Sequence, residues 1–178
     1  MVQLRPLSLA LALCLLALSA PARASEDVLL LRTEESPQVA TLCAPGENIV
    51  LGAFVYAPRT RAHDGLVMKE GSRPIGTAVG CGVLTSIATG AKAPFRIAFD
   101  LGRRTVAAAG ECTVAQRFAP LAPQPWPLLL VGCSLAVEPG SDAGLLQGIA
   151  ASASVFLPYP IPGYDTGSYW TLHLYYAD

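Results

Sequence analysis

The sequence predicts an all-β domain: an antiparallel barrel or sandwich of about seven or eight strands. Three observations carry this. Sixteen glycines and 15 prolines cut the 178-residue chain into short apolar runs, the mark of many strands joined by turns. Several of those runs alternate apolar and polar residues with a period of two. No segment has the pattern of an amphipathic helix, so nothing is on hand to make the crossover connections that a parallel sheet needs.

The N-terminus stands apart from this pattern. Arg5 is followed by the apolar run Leu7 to Leu18, and Ala22-Arg23-Ala24 offers small residues in the A-x-A arrangement that a signal peptidase reads. The run is too short to cross a hydrocarbon core of about 30 Å as a helix. Cys14 follows Leu13, where a lipid-modified cysteine wants a small neighbour. Residues 1–24 therefore read as a signal peptide, residues 25–44 as an N-terminal arm and residues 45–178 as one disulfide-bonded β-domain, secreted or periplasmic.

Arg5 and Arg23 leave with the signal. Ten basic residues then face 13 acidic ones, a formal charge of −3, and only Arg103 and Arg104 are adjacent. That is no footprint for nucleic acid. No second stretch of ~20 apolar residues follows, so no membrane span is expected in the mature chain. Four cysteines remain: Cys43, Cys81, Cys112 and Cys133. An even number in an exported chain implies two disulfides. The nearest two are 21 positions apart, unlike the close pairs of zinc sites, so no metal is expected. The favoured pairing is Cys43–Cys81 and Cys112–Cys133. The second would join neighbouring antiparallel strands across a proline-rich loop.

Ser25 to Gln38 is polar and reads as an extended arm, with Val28 to Leu31 able to form an edge strand. In Glu47 to Ala57, Ile49, Leu51, Ala53 and Val55 share one face. Arg59 to Arg73 reads as a charged loop. Ile75 to Ser86 is a strand of small residues. Its Gly76, Ala78, Gly80 and Gly82 fall on one face, which suggests a bend or the close approach of another backbone. Phe95 to Leu101 alternates with Phe95, Ile97, Phe99 and Leu101 inward. Thr105 to Ala115 returns beside it with Val106, Ala108, Cys112 and Val114 on one face, the clearest hairpin in the chain. Phe118 to Pro127 carries four prolines around Trp126 and reads as a loop. Strands follow at Leu128 to Val137, Leu145 to Leu157 and Tyr169 to Tyr176.

Residues able to do chemistry are few. His63-Asp64 is the one adjacent His–acid pair, but with Gly65 it reads as a turn on a loop rather than a base with its orienting carboxylate. In the final strand Tyr169, Thr171, His173 and Tyr175 share a face, opposite Trp170, Leu172, Leu174 and Tyr176. In a closed sheet the first row lines the interior and holds a small ligand; otherwise it decorates a wet surface. No G-x-S-x-G or H-x-x-x-H motif is present, no catalytic residue is assigned, and no cofactor is expected.

From residue 49 onward the strand order resembles the barrel of dirigent proteins and allene oxide cyclases. Gly76-Thr77-Ala78-Val79-Gly80-Cys81 stands for that family's Gly-rich strand. Phe95 to Leu101 and Thr105 to Cys112 stand for its hairpin, Gly144 to Ala150 for its late Gly-rich segment, and Tyr169 to Tyr176 for the closing strand. The family's Gly-Gly-Thr-Gly run is absent, and no catalytic residue is carried over. The resemblance implies a barrel whose cavity hosts a small-molecule cyclase or stereochemical guide. The residues themselves favour a different class: a non-enzymatic exported domain that recognises a small molecule or a protein through loops 57–74 and 158–168. The export reading has a direct check. The intact mass of the exported protein is expected to correspond to a chain starting at Ser25; a mass that includes Met1 would refute it.

Overall fold

A computed structural model describes residues 24–60, 68–70, 73–120, 127–156 and 168–177. Residues 1–23, the loop dipeptide His63-Asp64 and most of loop 158–168 lie outside the described residues. Ten strands follow in order: β1 (Ala24–Glu35), β2 (Ile49–Tyr56), β3 (Pro58–Thr60), β4 (Met68–Glu70), β5 (Gly76–Gly82), β6 (Lys92–Asp100), β7 (Thr105–Phe118), β8 (Leu128–Val137), β9 (Leu145–Phe156) and β10 (Ser168–Ala177). Eight of them close into an antiparallel barrel in the order β1-β10-β9-β8-β7-β6-β5-β2. Each strand pairs with its neighbour in sequence, and the last pairs with the first, which makes an up-and-down barrel. The short β3–β4 hairpin is inserted between β2 and β5, within the stretch read from sequence as a charged loop.

Between a barrel and a sandwich, closure is decided by β1. The segment read as an arm, with at most an edge strand at Val28 to Leu31, is a full stave. It pairs with β10 from Ala24↔Ala177 to Thr33↔Ser168, and with β2 from Arg32↔Tyr56 to Glu35↔Ala53. Its core side is Leu31 and Thr33, both buried, with Leu29 packed against the core. Its alternation is hard to see in the sequence because Val28 and Leu30, on the outer side, are apolar yet about half exposed at 49% and 52%.

The hairpin predicted at Phe95–Ala115 is present as β6–β7, with Asp100 opposite Thr105. The Asp100 carboxylate accepts a hydrogen bond from the Gly102 N–H at 2.9 Å, and Gly102 takes a positive φ of 80° that suits glycine. Along β6 the inward residues Ala93, Phe95, Ile97 and Phe99 are buried and the outward ones are exposed. The small residues of β5 meet a side chain as well as a backbone. A Cβ at Gly80 would stand 2.5 Å from Phe95 Cζ, and one at Gly82 would stand 2.6 Å from the Pro94 carbonyl oxygen and 2.8 Å from Phe95 Cδ2. The glycines make the space in which the Phe95 ring lies.

Inside, Val55, Phe99, Val106, Leu135, Leu172 and Leu174 are fully buried. Each such side chain contributes about 1.5–3 kcal/mol by leaving water. The Trp170 ring stands edge-on to Phe99, centroids 5.5 Å apart at 74°, and is stacked against Phe95 at 6.5 Å. Charged residues point outward, among them Lys92 with Glu111 at 2.9 Å and Arg96 with Glu47 at 2.9 Å. Among the described residues no helix is long and apolar enough to cross a membrane.

One end of the barrel is closed by polar contacts. Here the start of β1, the β6–β7 and β8–β9 turns and the end of β10 converge. Tyr176 donates to the Asp142 carboxylate at 2.9 Å. Arg104 reaches Asp27 at 2.6 Å and Asp142 at 3.3 Å, and lies 5.0 Å from the Tyr176 ring centroid. Burial, then the bond to Asp142, pushes the Tyr176 phenol up to about 12. A phenol whose pKa is higher folded than unfolded adds stability in full below its ordinary value of ~10 and loses it as pH rises toward 12. The urea midpoint of wild type is therefore expected to fall between pH 10 and 12 more steeply than that of Tyr176→Phe. Parallel pH profiles for the two would refute this.

Candidate functional site

The row singled out in the last strand lies outside the barrel. Tyr169 is 43% exposed and His173 46%, with Thr171 and Tyr175 half-buried. The alternation of β10 was read correctly, but its interior face is the other one: Trp170, Leu172, Leu174 and Tyr176 are buried. The outer row makes a small surface cluster with β1. His173 Nδ1 is 3.3 Å from Glu26 Oε1, and the Tyr175 hydroxyl donates to the same oxygen at 3.2 Å. The Glu26 charge raises the Tyr175 pKa. These four residues stand on the outer face and do not line the interior. The greater apolarity of the Trp170 face was the signal in the sequence that pointed the other way.

Loops 57–74 and 158–168, the recognition segments expected from the sequence, leave the barrel at opposite ends. Tyr56 and Gly76 bracket the first, at the polar-closed end; Phe156 and Ser168 bracket the second, at the other.

The end where β9 stops and β10 starts is hollow. An apolar cavity of about 70 Å³ lies inside the barrel there. Its walls are Ile49 and Leu51 from β2, Leu84 beyond β5, Ala93 from β6, Val114 from β7, and Leu129 and Val131 from β8. Phe95 and Trp170 also line it; both pack toward Phe99 and the filled half of the core. Small side chains leave the space: Ala93 on β6, then Ser152 and Ser154 on β9 where large residues would have met the opposite wall. The Gly80 and Gly82 clearings take the Phe95 ring to one side.

Both disulfides belong to this half of the molecule, and both have the expected pairing. Cys112 and Cys133 stand directly opposite in the β7–β8 register, Cα atoms 4.0 Å apart, and line the cavity. Cys43–Cys81, with Cα atoms 5.6 Å apart, pins the β1–β2 connection to the outer side of β5. Glu47 holds the same connection: Arg96 grips its carboxylate through Nε at 3.2 Å and Nη2 at 2.9 Å, and the Ala44 N–H donates to it. These contacts, Arg96 first, hold the Glu47 carboxyl below its ordinary range. Asn48 exchanges two hydrogen bonds with the Leu84 backbone, 2.8 and 2.7 Å, which ties the β5–β6 connection to the start of β2. The sulfurs of Cys43 and Cys81 lie with the Glu47 carboxylate inside 4.8 Å, but they are bonded to one another and offer no thiolate to a metal.

The chemistry of the cavity is narrow. No described residue lining it titrates, since its two cysteines form a disulfide. Its polar atoms are few. Trp170 Nε1 and Ser152 Oγ are buried and have no hydrogen-bond partner among the described residues. A buried donor left without a partner costs about 1–3 kcal/mol. Glu35 stands just outside, in a second depression that shares Ile49 and Leu84 with the cavity, and burial raises its pKa. These residues were not found from the sequence. The alternation Ala151-Ser152-Ala153-Ser154 was visible, but its facing Trp170 across the β9–β10 pair depends on register.

No family model matches this chain, and neither a curated protein nor a solved structure matches it.

Non-reducing peptide mapping is expected to recover two linked peptide pairs, Cys43 with Cys81 and Cys112 with Cys133. The double variant Cys112→Ala/Cys133→Ala is expected to lose about 3 kcal/mol of stability, the value for a loop of this size in the chain-entropy model. Free thiols in the oxidised protein, or an unchanged urea midpoint in the variant, would contradict this.

Proposed function

We propose that this chain is an exported binding barrel that takes the apolar end of a small molecule into the hollow half of its interior. The observation that supports it is the cavity: an apolar space inside a barrel whose other half is filled. Proteins pack their interiors to crystal-like density and rarely leave space without a use. The size sets the ligand. About 70 Å³ is below the ~150 Å³ at which an engineered apolar cavity holds a benzene ring. It suits one end of an alkyl or isoprenoid chain, with the remainder in the mouth.

A binder is preferred to an enzyme because the wall holds no group that moves a proton. The second reading, a cyclase or stereochemical guide in the manner of dirigent proteins and allene oxide cyclases, draws on Glu35. A carboxyl with a raised pKa beside the mouth is the sort of group that acts as a general acid. The two readings differ in what Glu35 does. In a pure binder Glu35→Gln leaves affinity and bound ligand unchanged.

The test uses the oxidised mature protein and the neutral fluorophore N-octyl dansylamide, whose alkyl chain is narrow enough for the cavity and whose dye stays in the mouth. Binding is expected with enhanced emission, and an alkene such as 2-methyl-1-octene is expected to displace it. Ala93→Leu and Val131→Phe, which fill the cavity, are expected to weaken binding at least about tenfold, the equivalent of ~1.4 kcal/mol, while keeping the far-ultraviolet spectrum of a β-protein. Equal binding by the filled variants, or no binding by wild type, would sink the proposal.

A further inference from the structure

We infer that the ligand carries a neutral oxygen acceptor at its buried end, a ketone, aldehyde, ester or alcohol, received jointly by Trp170 Nε1–H and the Ser152 hydroxyl. The inference rests on the cavity as the binding site and names the chemical class of what enters it.

Three observations converge. Trp170 is 3% exposed and lines the cavity, and its indole N–H has no partner among the described residues. An indole nitrogen can only donate. Ser152 lines the same cavity, and its hydroxyl oxygen is also buried without a partner among the described residues. The two are not scattered: Trp170 and Ser152 are directly opposite in the β9–β10 register, on the inward face. Side chains in that relation have Cβ atoms about 4.5–5.5 Å apart. They nevertheless make no hydrogen bond to one another. Two donors side by side, in a wall whose other polar side chains are Ser154 and Ser168, match one acceptor atom with two lone pairs, which a carbonyl oxygen is. A hydroxyl or ester oxygen meets the same pair.

The surroundings limit the acceptor to a neutral one. No described cationic side chain lines the cavity. A carboxylate would enter a low-dielectric space without a counter-charge, which is strongly disfavoured. The position of the pair also gives an orientation. Ser168 marks the start of β10, Trp170 lies two residues further in, and Leu172 and Leu174 continue into the filled core. The oxygen is therefore the leading atom, and the apolar chain trails toward the mouth between Ile49, Val114 and Leu129.

The test compares 2-octanone with its isostere 2-methyl-1-octene, in which =CH₂ replaces =O, on the oxidised mature protein. Calorimetry or fluorophore displacement gives the affinities. The ketone is expected to bind about tenfold more tightly than the alkene, the size of one or two buried hydrogen bonds made good. That advantage is expected to vanish in Trp170→Phe and to shrink in Ser152→Ala, while alkene affinity stays within about twofold. Trp170 also packs on Phe99 and Phe95, so a second measurement needs no variant at that site. In ¹⁵N-tryptophan-labelled protein, with the other indole signal identified by Trp126→Phe, the ketone is expected to move the Trp170 Nε1–H resonance downfield and the alkene is not. If ketone and alkene bind equally, or the resonance stays still while the ketone binds, the oxygen assignment is overturned and the cavity reading stands. If neither compound binds, both fall together.

Discussion

The pairing of β1 with both β10 and β2 is the constraint on which the rest depends. Without it, β2 and β10 are free edges of a seven-stranded sheet, with rows of unpaired N–H and C=O groups. With it, the ladder has no end, and inside is defined for every residue by parity alone. Closure is also what turns a face of β10 into an interior. Leu172 and Leu174 are wholly buried because walls stand on all sides of them, not because a second layer covers the sheet. Closure fixes the diameter as well. At eight strands the interior is just wide enough for side chains to fill, so whether a given layer is solid or hollow is settled by the size of the residues facing it.

That condition divides the barrel. Toward the end bearing Arg104, Asp142 and Tyr176, branched and aromatic residues from opposite staves meet, and the layer is solid. Toward the other end, Ala93, Ser152 and Ser154 do not reach the opposite wall, and Phe95 is drawn aside into the clearing left by Gly80 and Gly82. Trp170 lies at the boundary, its edge on Phe99 and its face toward Phe95. One side chain thus belongs to both halves: its hydrocarbon helps fill the core and its N–H remains to be satisfied. On the proposed reading, a donor without a partner among the described residues, at the inner boundary of the cavity, specifies the ligand as much as the apolar space does.

Much of this was legible in the sequence, for a physical reason. Period-two alternation survives wherever one face is wet, so β6 and β7 could be read residue by residue, and the Cys112–Cys133 pairing followed from which strands were neighbours. Other features were hidden because they are relations between distant segments. Val28 and Leu30 are apolar but face outward, which blurs β1 and disguises a barrel stave as an arm. For β10 the sequence leaves two outcomes open for the row Tyr169, Thr171, His173 and Tyr175, interior wall or wet surface, and the structure has it on the surface. Apolar content ranks the faces more reliably than chemical interest does, since burial of Trp170, Leu172 and Leu174 is worth far more than any bond those polar groups make with Glu26. The Trp170–Ser152 pair was out of reach because register is set by the whole ladder, and a slip of one residue would turn Ser152 outward.

The distribution of cross-links follows from the same division. A solid layer holds itself together by packing, and the polar-closed end adds to it charge pairs, the Tyr176–Asp142 bond and the turn hydrogen bonds of Asp100 and Ser141. A hollow layer gives up dispersion contacts on its inner side and must be held from elsewhere. Both disulfides, the bidentate Arg96–Glu47 pair and the two Asn48–Leu84 bonds are all found at the hollow end. Cys112–Cys133 ties two adjacent staves across the cavity wall itself, and the others fasten the β1–β2 and β5–β6 connections around the rim. Reinforcement placed where packing is absent keeps the empty shape from collapsing. A barrel selected only for stability would instead have filled the space with a leucine at position 93 or a larger residue at 152. That it is left open and braced is the strongest structural reason for reading the cavity as a site.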